Sequence, residues 1–156
     1  MDTGIRNYVL RETMVSMLIN AALSLGFAWL VFGGSSSVER RDLVFDALPQ
    51  SFFVAFFGAL VPTLLATRRI RSNRIGTLPQ RRSWLPANTL ARGIAIGGLA
   101  AVAGFLLHAL VLYGLRINEL GTRTVLVYKP IYGAVLAWIV TPYALLVVLA
   151  ENRKLQ

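Results

Sequence analysis

The chain contains a single histidine, His108, inside the uncharged stretch GIAIGGLAAVAGFLLHAL that covers residues 93–110. An imidazole in an apolar run is either a neutral group hydrogen-bonded to a hydroxyl or carbonyl of a neighbouring helix, or a proton-relay or ligand-contact residue. One histidine and no cysteine give no protein metal site, so no metal and no cofactor are expected; only a haem shared between two chains stays open. Lys129, with Tyr128 beside it and Tyr132 one turn on, should stand at the height of Tyr113, His108 and the Gln50 and Ser51 pair. If those faces converge they make an amphipathic polar pocket. If they do not, they are an interface belt of tyrosines with a snorkelling lysine.

A second polar set, Thr13, Ser16, Asn20 and Ser24, follows three- and four-residue spacing and covers about 80° of one helix face. Its plainest use is hydrogen bonding between helices, about 0.5–2 kcal/mol per contact in a membrane; the alternative is a hydrophilic lining open to the cytoplasm. No carboxylate falls in the middle of an apolar block, since Glu12 and Asp46 stand at block edges. Proton-coupled carriers therefore lack their usual embedded acid. There is no GxSxG, no HExxH, no paired carboxylates and no phosphate-cradling glycine loop, so no enzyme is expected.

The elements that must position these groups are apolar blocks. Met14 to Phe32 runs 19 residues without a charge, Ala47 to Ala66 runs 20, Gly93 to Leu115 runs 23 and Pro130 to Ala150 runs 21. A hydrocarbon layer roughly 30 Å thick needs about 20 helical residues, so each block can span it. The expectation is an all-α polytopic membrane protein, a single four-helix transmembrane bundle over residues 1–156, with spans near 13–33, 47–67, 91–115 and 125–150 and a basic loop at 67–92. Asn88 or Thr89 should cap the third helix, and Pro62 and Pro142 should strain their helices unless a neighbour satisfies the freed carbonyl. GGSSSVERRD reads as a turn-rich loop, and no internal repeat is visible.

On the third helix Gly93, Gly97, Ala100, Ala101, Gly104 and His108 share an arc of about 100°, a ridge of small residues that lets another backbone come close. Gly133, Ala137, Thr141 and Ala144 form a similar face on the fourth helix and are its expected partner.

A net charge of +9 would suggest nucleic acid in a soluble protein, but the placement of the charges says otherwise. Eleven basic residues, Arg6, Arg11, Arg68, Arg69, Arg71, Arg74, Arg81, Arg82, Arg92, Arg153 and Lys154, lie on the tails and the second loop. Four, Arg40, Arg41, Arg116 and Arg123, lie on the other side. The positive-inside rule then puts both termini and the basic loop in the cytoplasm. Arg68, Arg69, Arg71, Arg74, Arg81 and Arg82, with no acid among them, are expected to meet anionic lipid headgroups, and no nucleic-acid partner is expected.

The run RETMVSMLINAALSLGFAWLVFGG, followed by LPQSF and LVP, resembles small four-helix bacterial inner-membrane proteins, some of them labelled permeases. The resemblance covers most of the chain and carries no functional residue. It implies a permease-like inner-membrane protein, and four helices enclose so little space that such a protein would work as a homo-oligomer. The alternative is a non-catalytic accessory or assembly subunit among partner membrane subunits.

Overall fold

The computed structural model describes residues 3–79 and 83–151. It holds four helices, α1 (Thr3–Phe32), α2 (Arg40–Arg71), α3 (Thr89–Gly114) and α4 (Thr122–Glu151). Two short strands, β1 (Ser37–Glu39) and β2 (Glu119–Gly121), run directly into α2 and α4. All four helices are long and apolar enough to cross a membrane. Their outward faces are apolar as well: Leu18, Leu30, Leu110 and Ile139 are exposed.

Local sequence explains the helix ends and the tolerance of proline. Asn88 Oδ1 caps α3 by accepting from the amides of Leu90 at 2.9 Å and Ala91 at 3.1 Å. Pro49 and Pro62 lie within α2, and Pro130 and Pro142 within α4. Pro62 has no N–H for the carbonyl four residues back, and the hydroxyl of Thr141 supplies the missing bond, donating to Gly58 O at 3.0 Å.

All four helices begin earlier than the expected spans do: α1 at Thr3 instead of 13, α2 at Arg40 instead of 47, α3 at Thr89 instead of 91, α4 at Thr122 instead of 125. An apolar block marks the stretch that avoids water, whereas a helix runs on wherever its backbone stays paired. For α2 and α4 the starting point is set by the strands. GGSSSVERRD is thus more than a turn: β1 pairs with β2 antiparallel, Val38 opposite Leu120. Asp46 consequently stands in the second turn of α2 and Pro49 deeper in the helix.

The strand pair also exposes a repeat. The amide of Arg40 donates to Asn118 O at 2.8 Å, and the amide of Thr122 donates to Ser36 O at 3.2 Å. The second bond is the first with the halves exchanged, each position moved by 82 residues (40 to 122, 36 to 118). The same shift superposes the buried faces of α2 and α4: Leu43 with Val125, Ala47 with Lys129, Ser51 with Gly133, Ala55 with Ala137, Ala66 with Val148. Along α1 and α3, Ser24, Ala28 and Phe32 correspond to Gly104, His108 and Leu112, all buried, at a shift of 80. The molecule is two helix–strand–helix units joined about a pseudo-two-fold axis through the strand pair.

The packing obeys that symmetry. α2 lies along α4 at the centre, α3 lies along α2, α1 lies along α4, and α1 and α2 meet only sparsely. The small-residue faces of α3 and α4 therefore do not seat each other, contrary to the sequence expectation. A Cβ at Gly97 would come within 3.1 Å of Phe52, one at Gly93 within 3.2 Å of Phe56, and one at Gly104 would collide with Ser51, all on α2. Gly133 on α4 instead receives Ser24 of α1. Ser24 into Gly133 and Ser51 into Gly104 are the same contact with serine and glycine exchanged, since both ridges belong to the α3–β2–α4 unit and each meets a helix of the other unit.

At the end away from the strands, Ile5, Tyr8, Ala66, Ile70, Leu145 and Leu149 form an apolar cluster that Ile75 and Leu78 of the α2–α3 loop join. The amide of Leu78 donates to Leu149 O at 2.9 Å, which fastens the loop under α4.

Candidate functional site

About six residues into α2, roughly 9 Å from its strand end at 1.5 Å per residue, stands Asp46. Lys129 occupies nearly the same height on α4 and is completely buried. Its ammonium contacts Asp46 Oδ2 and donates to Gln50 Oε1 at 2.9 Å, while Gln50 Nε2 donates back to Lys129 O at 3.2 Å. A buried ammonium needs such partners, because desolvating a lone charge costs several kcal/mol or more. The Asp46 side chain retains 26% exposure, so of the two charges it is the carboxylate that faces open space.

That space is a cleft of about 490 Å³ between α1 and α2. It exists because those two helices barely touch. Its walls are Leu23, Phe27 and Val31 on one side and Phe53 and Phe57 on the other, and its polar lining is Asn20, Ser24, Asp46, Gln50 and Lys129. Phe27, Val31 and Phe53 are exposed at the rim, so the cleft opens sideways through an apolar mouth. An apolar volume of this size with a few convergent polar groups is the usual form of a small-molecule site.

Comparison with protein-family models, with curated proteins and with solved structures finds no match. The site therefore has to be read from its own geometry, and the pseudo-symmetry supplies an internal reference. On the α3–α4 side, the positions equivalent to Ala28, Asp46 and Gln50 are His108, Tyr128 and Tyr132. There the imidazole meets the ring of Tyr132 edge-to-face at 4.7 Å and lies 6.1 Å from Tyr128. Rings thus stand where the first side has a cleft. His108 Nδ1 is 2.8 Å from Gly104 O, a carbonyl acceptor on its own helix, so Nδ1 carries the proton. The expected bond to a neighbouring helix is replaced by a backbone bond within α3 and a ring contact to α4.

The predicted polar pocket is brought together only in part. Gln50 and Lys129 join it. Ser51 and Tyr132 hydroxyls meet at 2.6 Å, linking α2 to α4 on the His108 side. Tyr113 does not join: it is 57% exposed, with the guanidinium of Arg40 over its ring at 4.1 Å.

The stripe on α1 is buried, and its Asn20 and Ser24 also border the cleft. Thr13 donates to Val9 O at 2.7 Å and Asn20 Nδ2 to Ser16 O at 2.9 Å, both within α1. Only Ser16 crosses, its Oγ lying 2.8 Å from Thr141 Oγ1 at a junction of α1, α2 and α4. Ser24 Oγ is buried without a hydrogen-bond partner.

Of the basic loop, Arg68, Arg71 and Arg74 are exposed. Arg69 is engaged with Glu12 at 3.2 Å and lies over the Tyr8 ring at 5.0 Å. Arg81 and Arg82, with Arg153 and Lys154 of the tail, lie outside the described residues. Arg92, grouped by sequence with the loop charges, is 2% exposed; it pairs with Glu151 and donates through Nε to Pro86 O at 3.1 Å.

Sequence reasoning missed Asp46 as the partner of Lys129 and Glu151 as the partner of Arg92. A signal for the first was present: two opposite charges, each about two turns into a long helix, stand at one height because α2 and α4 both start from the strand pair.

Proposed function

We propose that this chain is a small multi-pass protein of a bacterial inner membrane, permease-like, that admits an amphipathic solute through the α1–α2 cleft and works as an oligomer. The observation that carries this reading is the Lys129–Asp46 pair at the base of an apolar, side-opening cleft. Ionisable groups in spanning helices are costly and stand where substrates or protons are handled. The pair also supplies the embedded acid whose absence counted against a carrier. Because Thr13 and Ser16 of the α1 stripe are taken up by packing, a route across the membrane needs walls from a second copy.

The exposed Arg68, Arg71 and Arg74 favour an orientation with the basic loop and both termini in the cytoplasm, next to anionic headgroups, and the strand pair on the opposite side. The cleft base then lies in the outer part of the bilayer. A reporter after Gln156 is expected to read as cytoplasmic and one inserted at Ser36 as periplasmic.

The function is tested by reconstituting the chain in liposomes and measuring flux of fluorescent amphipathic cations, anions and neutral solutes, wild type against Asp46→Asn. Flux of one charge class that disappears in the variant is the expected result. No flux above protein-free liposomes would refute the permease reading and leave the second one, an accessory subunit. That alternative draws on α3, which is held mainly by α2 and presents Leu99, Val102 and Leu106 outward beside Gly98. Stoichiometric recovery of a different membrane protein after mild detergent extraction is its signature.

A further inference from the structure

The chemistry of the cleft base is one-sided. Lys129 is fully enclosed and its ammonium already holds Asp46 Oδ2 and Gln50 Oε1, so it presents no donor to a ligand. Asp46 is the charged group with exposure to the cleft, and among the described residues its Oδ1 accepts no hydrogen bond. Asn20, on the opposite wall, makes both its side-chain hydrogen bonds through Nδ2, which leaves its carbonyl oxygen as an acceptor. Gln50 has both ends of its amide engaged by Lys129. Beside the Ser24 hydroxyl, which can donate or accept, the cleft therefore offers at its polar end hydrogen-bond acceptors, one of them anionic, beneath walls made of Leu23, Phe27, Val31, Phe53 and Phe57.

From this we infer that the α1–α2 cleft binds one amphipathic primary ammonium, its alkyl chain between the apolar walls and its N–H donors on Asp46 and Asn20. Complementary charge fixes the class: an ammonium satisfies free acceptors with charge-assisted bonds, whereas a carboxylate or phosphate would meet the like charge of Asp46 with only the Ser24 hydroxyl as a donor. Aromatic walls at Phe27, Phe53 and Phe57 add a favourable surface for a cation and its methylenes. The other half of the molecule shows how the same framework looks without this capacity. There Tyr128 and Tyr132 replace the carboxylate and the amide, and His108 occupies the place of Ala28. The two units differ so that one cleft is left open and its counterpart is filled by the chain's own rings.

The inference rests on the reading of the cleft as a solute site and is tested by binding alone. Radiolabelled dodecylamine is titrated onto the full chain in phosphatidylcholine nanodiscs, with empty discs subtracted. Saturable binding near one molecule per chain is expected, not competed by dodecanoate. Asp46→Asn should weaken it about tenfold or more. Leu23→Trp fills the cleft from an exposed wall position without touching the ion pair, and should abolish binding in a chain that melts like wild type. Wild-type binding by both variants, or equal competition by dodecanoate, overturns the inference. So does the absence of saturable binding, which would mean that bilayer lipid or a second copy holds the cleft. Dodecylamine that binds but is never carried across a liposome leaves the inference standing and removes the permease reading.

Discussion

Lys129 of α4 sets its ammonium on the carboxylate of Asp46 of α2, and this pair pins together the two helices that run through the centre of the molecule. Removing one partner leaves a charge with no counter-ion in an apolar setting. Lys129→Met is therefore expected to destabilise the chain by about 3–5 kcal/mol, while Lys129→Met combined with Asp46→Leu recovers most of the loss. Unfolding in detergent followed by circular dichroism measures both. A double variant no better than the single one would mean that the pair contributes through shape alone.

Gly104 and Gly133 each accept a serine from the helix opposite. Alanine at either glycine forces that serine to move, at about 1–3 kcal/mol for an overpacked contact. Gly104→Ala should be relieved by Ser51→Gly, and Gly133→Ala by Ser24→Gly, but neither by the other serine. Leucine at Gly104 should be far worse. Thermal stability of the crossed pairs checks the assignment; indifferent crosses would show that the two knobs are not independent contacts.

Thr141 completes what Pro62 takes away. Thr141→Val leaves the Gly58 carbonyl without a donor, a loss of about 1–2 kcal/mol. In a Pro62→Ala background the amide at position 62 reclaims that carbonyl, and Thr141→Val should cost much less. A double-mutant cycle reads the coupling directly, and a coupling of zero would sever the proposed link.

Arg68, Arg71 and Arg74 should behave differently from Arg69. Replacing the three exposed arginines with glutamine is expected to lower affinity for phosphatidylglycerol vesicles in a salt-dependent way, each contributing about 1 kcal/mol. Arg69→Gln should leave vesicle binding nearly intact and reduce stability instead, through Glu12. Vesicle binding unchanged by the triple replacement would point to a protein partner for the loop.

The count of four long apolar helices was legible because it rests on long uncharged runs, and the cap at Asn88 because a side-chain amide before a helix has few other uses. The repeat was not legible. Across the register of α2 and α4 only Arg41 with Arg123, Ala55 with Ala137 and Leu64 with Leu146 are identical, since close helix packing selects volume and leaves side-chain chemistry free to drift. For the same reason the ridge on α3 was recognisable as a packing face while its partner was not: small residues state that something comes near without stating what. The site was half legible. Lys129 and Gln50 stood out by type, but Asp46 seemed peripheral because the start of α2 depends on β1, whose strand partner lies 82 residues away (38 to 120).

The order in which the helices are made has its own consequence. α1 finds its main partner in α4, the last helix synthesised, and touches α2 very little. From Phe32 to Thr122 the ribosome must add 90 residues (122 − 32), which at about 5–20 residues per second takes roughly 5–20 s. Throughout that interval Ser16, Asn20 and Ser24 have no docking surface, and β1 has an unpaired edge. The nascent first hairpin is thus an adhesive intermediate, and a chain stalled after α3 would present to quality control the polar face that the finished molecule hides.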